Sequence, residues 1–192
     1  MHSRRELLVA SLAAGSAAVL TSCGGGSKSS SVVTVSTAAA DNDAAVLDTL
    51  LDQENSSIAA YTLLAARLGG RALAEARRFL SHERKHATAI TAAIQAVGST
   101  PSAPRPRSEY EAGFPRLRNA RDALSFALDV ESTAIAAYSD AIGKLATDSA
   151  RVTAATILVT ESEHAAVALG ELGRPQIPAA FVNGPPPQAT TP

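Results

Sequence analysis

The 192-residue chain is 46% hydrophobic, 18% charged and 4% aromatic, with no tryptophan. That suffices for one modest domain, and the abundance of alanine over β-branched and aromatic runs favours helices and argues against a sheet. Lys plus Arg at 17 against Asp plus Glu at 18 leave a net charge of -1, which excludes a whole face attractive to nucleic acid. The local arginine clusters, Arg67, Arg71, Arg77 and Arg78 and then Arg116, Arg118 and Arg121, read as solvated helix faces.

At the N-terminus, Arg4 and Arg5 precede an apolar run from Leu7 to Leu20. It is too short to span a bilayer, which takes about 20 residues, but it suits the core of a signal peptide over residues 1–22. Ser3-Arg4-Arg5-Glu6-Leu7-Leu8 resembles a twin-arginine export signal, and Leu20-Thr21-Ser22-Cys23 resembles a bacterial lipobox. The expectation is an exported cell-envelope lipoprotein, held to the membrane outside the cytoplasm by lipid on Cys23. With no second cysteine, an intrachain disulfide, a thiolate metal site and a separate catalytic thiol are all excluded. Residues 23–40, rich in Gly, Ser and Thr, read as a flexible tether.

The domain is expected over 41–170. Asp41, Asn42 and Asp43 offer N-caps, and Val46, Leu47, Leu50, Ile58, Tyr61, Leu64 and Leu68 keep a helical period until Gly69-Gly70. A second helix is predicted from Ala72 to Val97, ending at Gly98. Ser99 to Leu117, with Pro101, Pro104, Pro106 and Pro115, is predicted to contain no regular helix. Asn119 or Asp122 opens a third helix to Leu145, and Thr147-Asp148-Ser149 caps a fourth that ends near Gly170. The tail, 171–192, with Pro185-Pro186-Pro187, reads as extended or disordered.

Short turns make helices 1 and 2, and helices 3 and 4, antiparallel hairpins. The second helix would be ~39 Å long, and the Pro-rich segment can stretch to roughly 60 Å. It can therefore cross the full bundle. The predicted fold is all-α: a four-helix bundle of two hairpins joined by one long crossover.

The two halves repeat a pattern. Glu54-Asn55-Ser56-Ser57-Ile58-Ala59-Ala60-Tyr61 and Glu131-Ser132-Thr133-Ala134-Ile135-Ala136-Ala137-Tyr138 agree at Glu, Ile, Ala, Ala and Tyr. Glu83-Arg84-Lys85-His86 matches Glu161-Ser162-Glu163-His164 at Glu and His. Residues three apart share a helix face, so each Glu-x-x-His pair can reach one ion. Tyr61 and Tyr138 lie two turns along the stripes of Glu54 and Glu131. Four carboxylates and two imidazoles suit iron or manganese better than a soft metal. Buried without metal or shared protons, the carboxylates would be costly to keep ionised.

On these residues the chain resembles the ferritin-like di-iron carboxylate proteins, and is similar to bacterioferritin and the core of rubrerythrin over about 41–170. The resemblance implies a ferritin-like bundle holding two iron ions. Glu83 and Glu161 would bridge, Glu54 and Glu131 would be terminal ligands, and His86 and His164 would each bind one ion. Tyr61 and Tyr138 would hydrogen-bond the ligating carboxylates. The implied activity is that of an oxidoreductase using dioxygen or peroxide, as a ferroxidase or a peroxidase, and relatives of the rubrerythrin type imply a homodimer. Three features depart from the family pattern. There is no Cys-x-x-Cys, hence no rubredoxin domain to supply electrons. Ala134 stands where rubrerythrin has an extra Glu, and Met1 is the only methionine, so the thioether haem ligand of bacterioferritin is missing and no haem is expected.

Two other readings compete. The bundle can be a structural or interaction module that kept the residues without the chemistry. His82-Glu83-Arg84-Lys85-His86 also satisfies the His-Glu-x-x-His pattern of zinc proteases. That site would need a third ligand, and the only later histidine is His164. The matching place in the second half is Thr160, outside the repeat, so His82 is expected on the helix surface.

Overall fold

A computed structural model describes residues 36–180. The expected signal peptide, Cys23 and most of the tether and tail lie outside them. The elements are α1 (Thr37–Ala65), α2 (Gly70–Ala96), α3 (Arg107–Glu111), α4 (Ala120–Lys144) and α5 (Asp148–Glu171). The four long helices form the bundle, and no strand occurs among the described residues. None of the described helices is long and apolar enough to cross a membrane.

α1 begins earlier than predicted, inside the segment read as tether. Ser36 is extended and its side chain accepts a hydrogen bond from the Ala39 amide at 3.3 Å, so the alanines before Asp41 continue the helix. The Asp41–Asp43 stretch consequently does not cap α1. Asn42 donates to the Lys144 carbonyl at 2.9 Å, and the Asp43 carboxylate accepts from the amides of Ala146 (2.6 Å) and Thr147 (2.9 Å). Both residues tie the α4–α5 turn to the start of α1, which makes α1 and α4 antiparallel. Burial would raise the Asp43 carboxyl, but these backbone bonds outweigh it and hold it below its ordinary 3.8. Asp43→Ala leaves two amides of a partly buried turn without their acceptor and is expected to lower unfolding free energy by about 1 kcal/mol in urea melts. A depressed carboxylate stabilises above its unfolded value, so the difference between parent and variant should vanish as pH falls through the folded value.

The crossover follows α1 along its length. Ser102 bonds Asp48 through its amide at 3.0 Å, and Arg105 holds Asp52 with two bonds of 3.1 and 2.8 Å. At the far end Arg67 donates to the Leu117 carbonyl at 3.3 Å. The segment predicted to lack helix does contain the short α3. Pro106 occupies its N-cap, where no amide is needed, and Tyr110 is thereby buried with its hydroxyl on Asp52 at 2.8 Å. Asn119 is the α4 N-cap, accepting from the Asp122 amide at 2.9 Å.

The last helix ends at Glu171, near Gly170 as predicted, but Gly170 is not its stop signal. Gly173, at φ +71°, supplies the left-handed turn there, with the Arg174 amide returning to the Leu169 carbonyl at 2.9 Å. Gly170 instead admits the Gln176 side chain, whose Nε2 would be 2.7 Å from an added Cβ. All seven arginines of the two clusters are exposed, as expected.

Two apolar layers fill the interior. One joins Leu47, Leu50, Ile90, Ile94, Leu145 and Ile157, and the other joins Ala60, Leu64, Ala76, Phe79, Phe126 and Val130. Glu54, Glu83, Glu131 and Glu161 lie between these layers in sequence, and each is at most 1% exposed.

Candidate metal centre

Each long helix brings one glutamate inward, and α2 and α5 each add a histidine one turn on. Glu54, Glu83, His86, Glu131, Glu161 and His164 are all buried. Their donor atoms form two overlapping groups: Glu54, Glu83, His86 and Glu161, and Glu83, Glu131, Glu161 and His164. Within each group the atoms lie within 4.8 Å of one another. Glu83 and Glu161 belong to both groups, the others to one each.

Tyr61 and Tyr138 are also buried, and each serves the opposite half of the repeat. The Tyr61 hydroxyl donates to Glu131 Oε1 and the Tyr138 hydroxyl to Glu54 Oε1. This exchange follows from the antiparallel pairing of α1 with α4. It leaves Glu54 Oε2 and Glu131 Oε2 free. These two oxygens, both oxygens of Glu83 and of Glu161, and the Nδ1 atoms of His86 and His164 are buried without a hydrogen-bond partner. Unpaired polar atoms of this kind are costly, and so many at one point require a common partner.

Comparison with known proteins agrees with the fold. Residues 35–174 match the family described as "Ferritin-like domain". The chain belongs to that family. Among solved structures, the ferritin-like chain is similar to a conserved hypothetical protein, rv2844, from Mycobacterium tuberculosis. The TM-score is 0.61 at 21% identity, covering 69% of this chain and 98% of that one. It is also similar to the bacterioferritin-related protein of Bacteroides fragilis, described as a dodecameric thioferritin. There the TM-score is 0.53 at 18% identity, covering 71% of this chain and 92% of that one. No curated protein matches the chain.

The electrostatics of the ferritin-like centre are those of a cluster in which protons do the work of cations. His86 Nδ1 is 2.9 Å from Glu161, 3.6 Å from Glu83 and 3.7 Å from Glu54. His164 Nδ1 is 3.3 Å from Glu83, 3.4 Å from Glu161 and 3.5 Å from Glu131. These contacts are in ion-pair range without hydrogen-bond alignment. Burial alone would lower both imidazoles, yet the surrounding carboxylates outweigh it and push His86 up to about 12 and His164 up to about 11. Burial, reinforced by the neighbouring carboxylates, raises Glu54 and Glu131. Burial would raise Glu161, but the close His164 and His86 imidazoles outweigh it and pull the carboxyl down. Two cationic rings and shared carboxyl protons thus offset a charge that divalent ions would offset better. The donor set, oxygen-rich with one imidazole in each group, fits hard or borderline ions.

His82 departs from its expected place. It is half-buried, not free on the surface, with Nδ1 2.9 Å from Nε2 of His164 and the two rings stacked at 5.1 Å. The zinc-protease pattern would require it as a ligand, yet it belongs to neither donor group among the described residues. Phe79, which the sequence reading passed over, stacks on His164 at 4.0 Å and meets Tyr61 edge-on at 5.7 Å. The signal was present in part, because Phe79, His82 and His86 are spaced three and four residues apart on one face of α2.

Proposed function

We propose that the chain is a ferritin-like oxidoreductase in which Glu54, Glu83, His86, Glu131, Glu161 and His164 hold two iron ions, with Glu83 and Glu161 shared between them. The observation that carries this reading is the convergence of buried, unpartnered carboxylate oxygens and imidazole Nδ1 atoms into two groups with two members in common. Manganese suits the same donors.

Bound iron would supply redox chemistry toward dioxygen or peroxide. The residues of the chain perform the other tasks. Tyr61 and Tyr138 each tie up one oxygen of Glu131 and Glu54, so the free oxygen of each carboxylate points at the centre. The apolar layers on both sides keep water from the ligands, which strengthens every charge interaction between them. Loading displaces the protons held on His86 and His164 Nδ1. The leader sequence and the Leu20-Thr21-Ser22-Cys23 stretch support placement on the outer side of a membrane through a lipid on Cys23.

The test is anaerobic loading of the metal-free protein with two equivalents of Fe(II), followed by dioxygen or peroxide. Fe(II) is expected to disappear faster than in buffer and faster than with the Glu83→Ala, Glu161→Ala double variant. Equal rates in all three would leave a structural module on the same fold.

A further inference from the structure

The two halves of the centre repeat each other at the ligands but not around them. Besides His86, whose ring lies 6.2 Å away, His164 has two further aromatic neighbours from α2, Phe79 and His82, at ring separations of 4.0 and 5.1 Å. In the repeat register the counterparts of these residues are Ile157 and Thr160, neither of which carries a ring. His86 is also the more exposed ring, at 9% against 2% for His164.

The bond from His82 reaches the nitrogen that the centre does not use. His164 presents Nδ1 to Glu83, Glu131 and Glu161, so with an ion on Nδ1 the ring's one hydrogen sits on Nε2. At 2.9 Å, that Nε2–H donates to Nδ1 of His82, whose own hydrogen then sits on Nε2. A ligating imidazole whose remote N–H is held in this way keeps one tautomer and one ring orientation, and becomes a better donor. Stacking on Phe79 restrains the same ring from one face. Nothing of this kind is available to His86 from residues 157 and 160.

We infer that His82 is a positioning residue that makes the two ion sites unequal, so that the ion on His164 binds first and is held more tightly than the ion on His86. The inference rests on the two-ion reading above. It gives the centre one retained ion and one that exchanges, with the exchanging ion beside the more exposed histidine.

Cobalt(II) is the probe, titrated into the metal-free full chain and read by calorimetry and visible absorption. The parent should take up two ions in unequal steps. His82→Ala should weaken the tighter step by about tenfold or more and shift its cobalt spectrum, leaving the weaker step within about twofold. His82→Gln, whose amide oxygen can accept the same N–H, should recover most of the loss. Circular dichroism should be unchanged in both variants, since His82 is only half-buried. Two-ion uptake with both steps unchanged in His82→Ala, or both weakened equally, overturns this inference alone. A parent that takes up no cobalt overturns the two-ion reading and the inference with it.

Discussion

Replacing Glu83 or Glu161 by alanine is expected to abolish tight uptake of both ions, whereas Glu54→Ala or Glu131→Ala should remove only the ion on its own side. The reason is membership: Glu83 and Glu161 belong to both donor groups, while Glu54 and Glu131 each belong to one. Removing one partner from a buried, charge-paired arrangement costs on the order of 3–5 kcal/mol, a loss of roughly a hundredfold to several thousandfold. For Glu83 and Glu161 that loss falls on both ions, and each variant also leaves the opposing imidazole without its nearest shared carboxylate. Calorimetric titration with Fe(II) under argon reads the difference directly. A stoichiometry near zero is expected for either shared position, and near one for either unshared position. Equal behaviour of all four variants would contradict the sharing.

The metal-free protein should lose stability steadily as pH rises from about 5 to 9, and metal loading should remove that slope. The sign follows from the protons held in the folded state. Burial raises Glu54 and Glu131 above the ordinary 4.5, and carboxylate contacts raise His86 and His164 from 6.5 to about 12 and 11. Each raised group stabilises fully below its unfolded value and loses that contribution as pH climbs toward its folded value. The folded chain therefore holds more protons than the unfolded chain from the carboxylate range up to the raised imidazole values, and stability falls throughout. Glu161 works in the opposite sense, but only below 4.5. With two ions bound, the protons on the ligands are gone in the folded state and remain available to the unfolded one at low pH. Stability then rises with pH up to the unfolded histidine value and flattens. Thermal melts with and without metal across this range test both slopes, and parallel curves would contradict proton compensation at the centre.

The clustered glutamates and histidines were legible in the sequence because their geometry is local. A Glu and a His three residues apart share a helix face wherever the helix goes, and the repeat supplied the second copy. The crossover was legible from its length. What could not be read was which distant group each polar side chain would serve. Asp43 and Asn42 have the chemistry of caps, but local sequence does not say whose helix they cap, and the answer lies in the α4–α5 turn. Tyr61 was placed on the stripe of Glu54 and bonds Glu131, because the hydroxyl crosses to the antiparallel neighbour. His82 looked solitary in the repeat, and only the approach of α5 shows its partner. Proline misled at α3, since a residue that breaks a helix interior is tolerated at its start.

The most direct test of the central claim is anomalous scattering from a crystal of the metal-loaded protein at the iron absorption edge. The account predicts two peaks about 3.5–4 Å apart, as in two-metal sites. One should lie among Glu54, His86, Glu83 and Glu161, and the other among Glu131, His164, Glu83 and Glu161. No peak at these residues, or a single peak bound by His82 and His86, would contradict it.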